Sequence, residues 1–152
     1  EGEETFLELA SYYEKRTERE SSGPAAIRGL VCRQEGQIVR TPSRPIMDMD
    51  RLVFPYGDMA LFSHKIIYYE SSRGCPFSCS YCLSSIDKKL RFRSLDLVLD
   101  ELQFFLDEKV PQVKFVDRTF NCKKEHAMAI WTYIRDYDNG VTNFHFEIAA
   151  DY

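Results

Sequence analysis

The chain has no run of eighteen apolar residues, so the sequence predicts no segment that crosses a bilayer as a helix. It has no excess of positive charge. Its 20 Lys and Arg stand against 24 Asp and Glu, a net charge of −4, so a polyanion such as duplex DNA or RNA finds no electrostatic footprint. It lacks a charged-then-apolar leader, an internal repeat longer than one strand–helix unit, and any low-complexity tract. Tryptophan is scarce, a single residue, but 9 Tyr and 11 Phe are present and hydrophobic residues make up 44% of the 152. That is enough apolar surface for the core of one ordinary domain, and it excludes disorder as the main state. Cysteine occurs in an odd number, five, with three inside eight residues. Such cysteines, in a chain without a leader, predict metal chemistry in a reducing, cytoplasmic setting rather than disulfides. The ends are irregular too. Glu1-Gly2-Glu3-Glu4 reads as the middle of a loop, and a strand from Phe144 to Ala149 stops three residues before the end. The expectation is a stretch excised from a longer chain at both sides.

Thr5 can cap a helix whose apolar positions Phe6, Leu9, Ala10 and Tyr13 share one face. The mixed charges of residues 14–20 read as its solvated end, and Ser21-Ser22-Gly23-Pro24 breaks it. Leu30 to Arg33 and Gln37 to Arg40 flank Glu35-Gly36 and predict a hairpin. Pro42, Pro45 and Pro55 mark residues 41–63 as an irregular linker. From Lys65 the pattern alternates. Ile66 to Tyr69 is an apolar strand, Ser71 to Ser85 a Cys-rich loop, and Ser94 caps a helix carrying Leu95, Val98, Leu99, Leu102, Phe105 and Leu106 at period 3.6. Pro111 stops that helix, and a strand follows over 113–117. A second helix carries Ala127, Ile130, Trp131 and Ile134, Gly140 serves as its C-cap, and a third strand runs over 143–149. Strands alternating with helices imply an α/β fold with a parallel sheet.

Cys75, Cys79 and Cys82, spaced C-x3-C-x2-C, can all turn inward to one centre. Three thiolates do not complete a structural zinc site, which takes four ligands, unless Cys122 or His126 joins them. On a four-iron cluster, three thiolates leave one iron open to bind a cofactor or substrate. A plain electron-transfer cluster protein generally supplies four cysteines, so three count against that class. The loop follows a strand directly, which in a parallel α/β barrel places it on the C-terminal face, where chemistry sits.

The string Tyr69-Glu70-Ser71-Ser72-Arg73-Gly74-Cys75-Pro76-Phe77-Ser78-Cys79-Ser80-Tyr81-Cys82 resembles the cluster loop of the radical SAM enzymes, with Tyr81 as the aromatic residue before the third cysteine. Arg91-Phe92-Arg93-Ser94-Leu95 and the helix after it look like the first βα unit of that barrel. Glu1 to Phe6 resembles the last loop and helix of a cobalamin-binding domain. Residues from Gly29 to Pro45 resemble the hairpin and linker that join such a domain to the barrel. The resemblance implies two parts: 1–63, the end of an upstream cobalamin-binding-like domain with hairpin and linker, and 64–152, the first half of a radical SAM barrel. It also implies an enzyme, oxidoreductase or methyltransferase. Its [4Fe-4S] cluster, held by Cys75, Cys79 and Cys82, cleaves S-adenosylmethionine to a 5′-deoxyadenosyl radical that acts on an unassigned substrate. The Asp-x-His-x-x-Gly cobalamin motif is missing, so cobalamin is expected only in the full-length protein.

Three further residues are candidates to contact the cofactor. Tyr81 can lie beside the adenine, or act as an apolar lid on the cluster. Asp117, ending the second strand, stands where the family holds the amino group of S-adenosylmethionine, although the local sequence lacks the family's Gly-Gly-Glu; its other reading is a loop cap or a partner of Arg118. Glu147, read between Phe146 and Ile148 in the third strand, faces either a polar site or solvent. Arg73, Lys88, Lys89, Arg91 and Arg93 gather around the cysteine loop and read as a solvated basic face that also suits an anionic carboxylate. Cys32 reads as a packed strand thiol, and His64, His126 and His145 form no ligand spacing. Three strands make half a barrel. An open edge at 143–149 and an uncovered inner face bearing Ile67, Phe115, Phe144 and Phe146 then predict self-association, with no membrane or nucleic-acid partner.

Overall fold

A computed structural model of the chain describes residues 2–15, 23–85 and 89–151. They divide into two compact units, Glu1–Met47 and Asp48–Tyr152. Among the described residues no helix is long and apolar enough to cross a membrane.

The first unit opens with α1, Glu3–Lys15, whose acidic first turn and basic last turn both complement the helix dipole. The acidic pair starts the helix ahead of the expected cap, so Thr5 lies inside the first turn and is buried. Its hydroxyl donates to the Arg28 carbonyl at 3.0 Å and accepts from Arg44 Nε at 2.8 Å. Arg44 also pairs with Glu8 at 2.6 Å and Glu4 at 3.4 Å. The helix is therefore held to its unit by its polar side, and Phe6, on the expected apolar stripe, is 72% exposed. The residues expected to end the helix, 16–22, lie outside the described ones. The hairpin forms as expected: β1 (Val31–Gln34) pairs antiparallel with β2 (Gln37–Arg40), in register Val31↔Arg40 and Gln34↔Gln37. Glu35 and Gly36 both take positive φ, 49° and 82°, the turn that matches the natural twist of a two-residue hairpin.

In the second unit, β3 (Ile67–Tyr69), β6 (Gln112–Phe115) and β7 (Asn143–His145) form a parallel sheet in the order β3-β6-β7. The crossovers are α2 (Leu95–Asp107) and α3 (Lys124–Asp136). Between β3 and α2 lies a small antiparallel pair, β4 (Ser72–Arg73) with β5 (Arg91–Phe92), which the sequence pattern does not signal. Strand alternation sends Ile67, Tyr69, Val113 and Phe115 into one core with Val98, Leu102 and Phe105 of α2 and Ala127 and Ile130 of α3. Phe144 and Phe146 pack against that core. The expectation that Ile67, Phe115, Phe144 and Phe146 line an uncovered face is thus overturned, because these residues pack into the core that the helices cover. The alternate row, Tyr68, Lys114 and His145, consists of direct cross-strand neighbours that are more exposed. Residues 48–62 also belong to this packing: Phe54, Tyr56, Met59 and Phe62 rest on the core, and Tyr56 donates to the Tyr68 carbonyl at 2.6 Å.

The third strand is shorter than expected. Beyond His145 the backbone turns to serve the loop after β6. The Glu147 carbonyl accepts from Phe120 N, and Ala149 exchanges two hydrogen bonds with the Asn121 side chain, so these groups are unavailable to a ladder. Gly140 differs as well. Helix α3 is capped at Tyr137, and Gly140 lies in the following turn, where its N–H donates to Asp138.

His126, in the first turn of α3, is 3% exposed, and its Nε2 is buried without a hydrogen-bond partner. Burial first, and Lys123 second, pull its pKa from 6.5 down to about 4. Between those values the unfolded chain binds a proton that the folded one refuses. Stability therefore rises with pH through that window and is lost as pH falls from 6.5 toward 4, by up to about 3 kcal/mol. Urea unfolding at several pH values should show this slope in the wild type and a flatter one in His126→Leu. Equal slopes would remove His126 as the cause.

Candidate functional site

Strands β3 and β6 run the same way, so the segments after them leave the same end of the sheet, and these two segments build the site. Asp117, two residues past β6, is 1% exposed. It accepts from Ser71 N at 3.1 Å, from Ser71 Oγ at 2.8 Å and from Ser72 Oγ. Burial pushes its pKa up, and the serine hydrogen bonds oppose that shift. The carboxyl therefore clasps the start of the loop that carries the cysteines, and residue 118 beside it is exposed. Next along that loop, Gly74 takes φ +99° against the backbone of Lys89 and Leu90, at the end of the β4–β5 pair.

Cys75 follows, 8% exposed, with Sγ 3.6 Å from Thr119 Oγ1. Cys79 is exposed and Cys82 half-buried, and a bond from Cys82 N to the Cys79 carbonyl at 3.1 Å closes the turn that carries both. Cys122 is half-buried nearby. Burial first, then Asp117 and Cys75, raise its thiol pKa. Tyr81 is 92% exposed. Glu147, expected inside a strand, lies past the end of β7 with an exposed side chain 3.8 Å from Lys114 Nζ.

Two members of the expected basic face are paired with carboxylates. Arg73 pairs with Glu70 at 2.6 Å and Arg93 is buried against Glu101, while Arg91 donates to the Lys89 carbonyl. Lys88 lies outside the described residues. A cavity of about 320 Å³ opens beside the loop, lined by Glu70, Ser72, Arg73, Gly74, Ser84, Val116 and Arg118.

Among the described residues, no three His, Cys, Asp or Glu side chains converge closely enough to hold one metal ion. A cubane cluster sets a different requirement, because each cysteine binds a different iron and the sulfurs stay apart. Three soft thiols on one loop, one buried, one half-buried and one exposed, are the donor set that such a cluster takes.

No family model matches the chain. It is 34% identical, over 86% of its own length and 29% of the relative's, to an uncharacterised methyltransferase of Pyrococcus horikoshii. It is 28% identical, over 86% of its length and 27% of the relative's, to an anaerobic magnesium-protoporphyrin IX monomethyl ester cyclase of Rubrivivax gelatinosus. The chain thus spans less than a third of the length of these relatives. Its fold matches the radical S-adenosylmethionine methyltransferase TsrM of Kitasatospora setae at TM-score 0.59 and 22% identity, over 89% of this chain and 27% of that one. The same protein solved with cobalamin and a [4Fe-4S] cluster bound gives the same TM-score of 0.59. The class is therefore an α/β unit with the parallel sheet of a radical SAM methyltransferase. The chain thus shares sequence with a methyltransferase and a cyclase, and its fold with a radical SAM methyltransferase, the family that the cysteine loop resembles.

Thr119 and the Ser71–Ser72 clasp are site residues that sequence reasoning missed. Only the place of Thr119, four residues past the end of β6, could have pointed to it.

Proposed function

We propose that the chain is the linker and the first half of a radical SAM barrel, with Cys75, Cys79 and Cys82 as the cluster ligands. One observation carries the reading: the three cysteines lie on the loop leaving β3, at the end of a parallel sheet where Asp117 and Thr119, in the segment after the neighbouring strand, reach that loop. Cys75, Cys79 and Cys82 would hold a [4Fe-4S] cluster, which would supply the electron for reductive cleavage of S-adenosylmethionine. The chain's own residues anchor, orient and shield. Asp117 fixes the loop through Ser71 and Ser72. Exposed Tyr81 is free to lie on an adenine, and Arg118, lining the cavity beside the loop, offers a cationic group to a carboxylate. Glu147, on Lys114, stands further along the same end of the sheet. Methyl transfer is favoured over other outcomes because two of the relatives named above are methyltransferases. Cobalamin, in this reading, belongs to the whole protein rather than to residues 1–152.

Anaerobic reconstitution with iron and sulfide should give about four irons per chain. Cys75→Ala, Cys79→Ala and Cys82→Ala should each lose the cluster, and Cys32→Ala, in β1, should keep it. If Cys32→Ala loses iron as completely as Cys79→Ala, the ligand assignment is wrong. The other reading, a structural zinc completed by Cys122 or His126, is tested in the same samples by finding zinc without acid-labile sulfide. Self-association through the free edge of β7 is a further proposal, read by sedimentation.

A further inference from the structure

We propose that Thr119 is a positioning residue for the cysteine loop, its hydroxyl donating to the Cys75 sulfur once that sulfur is a cluster ligand. The inference rests on the ligand reading above. Cys75 Sγ and Thr119 Oγ1 are 3.6 Å apart, within hydrogen-bond reach for sulfur, and both residues are buried. The same hydroxyl lies 2.8 Å from the Arg118 carbonyl. A hydroxyl has one hydrogen to give and two lone pairs to receive. While Cys75 is a thiol, both bonds form together: S–H donates to Oγ1, and O–H donates to the carbonyl.

A sulfur bound to iron has no hydrogen left to give. Two acceptors then compete for one hydrogen, and the sulfur gains its donor only if the hydroxyl turns that hydrogen to it. That turn is a rotation about the Cβ–Oγ1 bond and moves no heavy atom. Residue 118 is exposed, so water reaches that part of the chain, whereas Cys75 is buried. The backbone holds Thr119 in place: Phe120 N donates to the Glu147 carbonyl at 2.9 Å, and Cys122 N to the Thr119 carbonyl at 3.1 Å. A donor aimed at a ligand sulfur stabilises the cluster more after it has taken up an electron, so it raises the reduction potential.

The full chain, Thr119→Val and Thr119→Ser are each reconstituted anaerobically with iron and sulfide. Each is then titrated with dithionite, with visible absorbance and electron paramagnetic resonance reporting one-electron reduction. The valine variant should titrate at a more negative potential than the wild type, and the serine variant, which keeps the hydroxyl, should stay with the wild type. Poor iron uptake by valine with full uptake by serine supports the same role, since the hydroxyl is then needed to present the sulfur. Equal potentials and iron contents in all three, or a serine variant that changes as much as valine, overturn the inference while leaving the ligand reading intact. A wild-type chain that takes up no iron and sulfide overturns both.

Discussion

Gly74→Ala is expected to leave the second unit folded and to lose most of the iron that the wild-type chain takes up. Gly74 sits between the Asp117 clasp and Cys75 with φ +99°, a region that a residue with a side chain enters at a cost of about 1–3 kcal/mol. An added Cβ would stand 2.7 Å from the Lys89 carbonyl oxygen, 3.1 Å from its carbon and 3.3 Å from Leu90 N. All three are backbone atoms leading into β5, so no flexible side chain can move aside. Either the β4–β5 pair parts or the chain turns differently into Cys75, and both outcomes displace the first thiol relative to the other two. Gly140→Ala is the control, because Gly140 also has positive φ, 69°, but its added Cβ meets nothing within 4 Å. Iron and sulfide per chain, read with the melting temperature, settle the point. Full iron in a Gly74→Ala protein of unchanged stability would mean that this close approach does not shape the loop.

Replacing Glu101 by Leu is expected to destabilise the second unit by about 3–5 kcal/mol, the range for breaking a buried ion pair from one side. Arg93 donates to Glu101 through Nε at 3.0 Å and through Nη2, and to the Met49 carbonyl through Nη1 at 2.6 Å. Tyr69 adds its hydroxyl to the same carboxylate at 2.6 Å. Burial foremost, then Glu101, raises the phenol pKa and keeps it a donor. Without Glu101 a buried guanidinium loses two of these three hydrogen bonds. Converting Arg93 to Met in the same chain removes the stranded charge, so the double variant should lose less than the two single losses combined. Urea denaturation measures all four proteins. A single-variant loss below about 1 kcal/mol, as at an exposed pair, would show that solvent reaches the cluster.

The elements legible in the sequence were those with many residues repeating one pattern. The stripe from Leu95 to Leu106 buries where its period puts it, and the apolar strands at 67–69 and 112–115 pair in parallel as the alternation of strand and helix implied. The β1–β2 hairpin was legible because Glu35-Gly36 is a local signal. The pair β4–β5 was not, since two residues have no period and their partners lie eighteen or more positions apart. The same holds for polar contacts. Arg93, read as part of a basic face, is buried because Glu101 stands two helical turns along, and nothing in either residue's own neighbourhood signals the pairing. Asp117 lies two residues past the strand it was expected to end, and the identity of its partners depended on the path of another loop. The cysteines were the part of the candidate site that the sequence signalled most directly, because their spacing is itself a local pattern.

The row Tyr68, Lys114 and His145 has a consequence for whatever lies against it. Parallel sheets are usually dry on both sides, yet here one side carries a phenol, an ammonium and an imidazole, with the Glu147 carboxylate 3.8 Å from the ammonium. A greasy cover would strand those groups without partners. A matching surface must bring acceptors for Lys114 and hydrogen-bonding company for the two rings, so the sheet selects its cover by polarity rather than by oiliness.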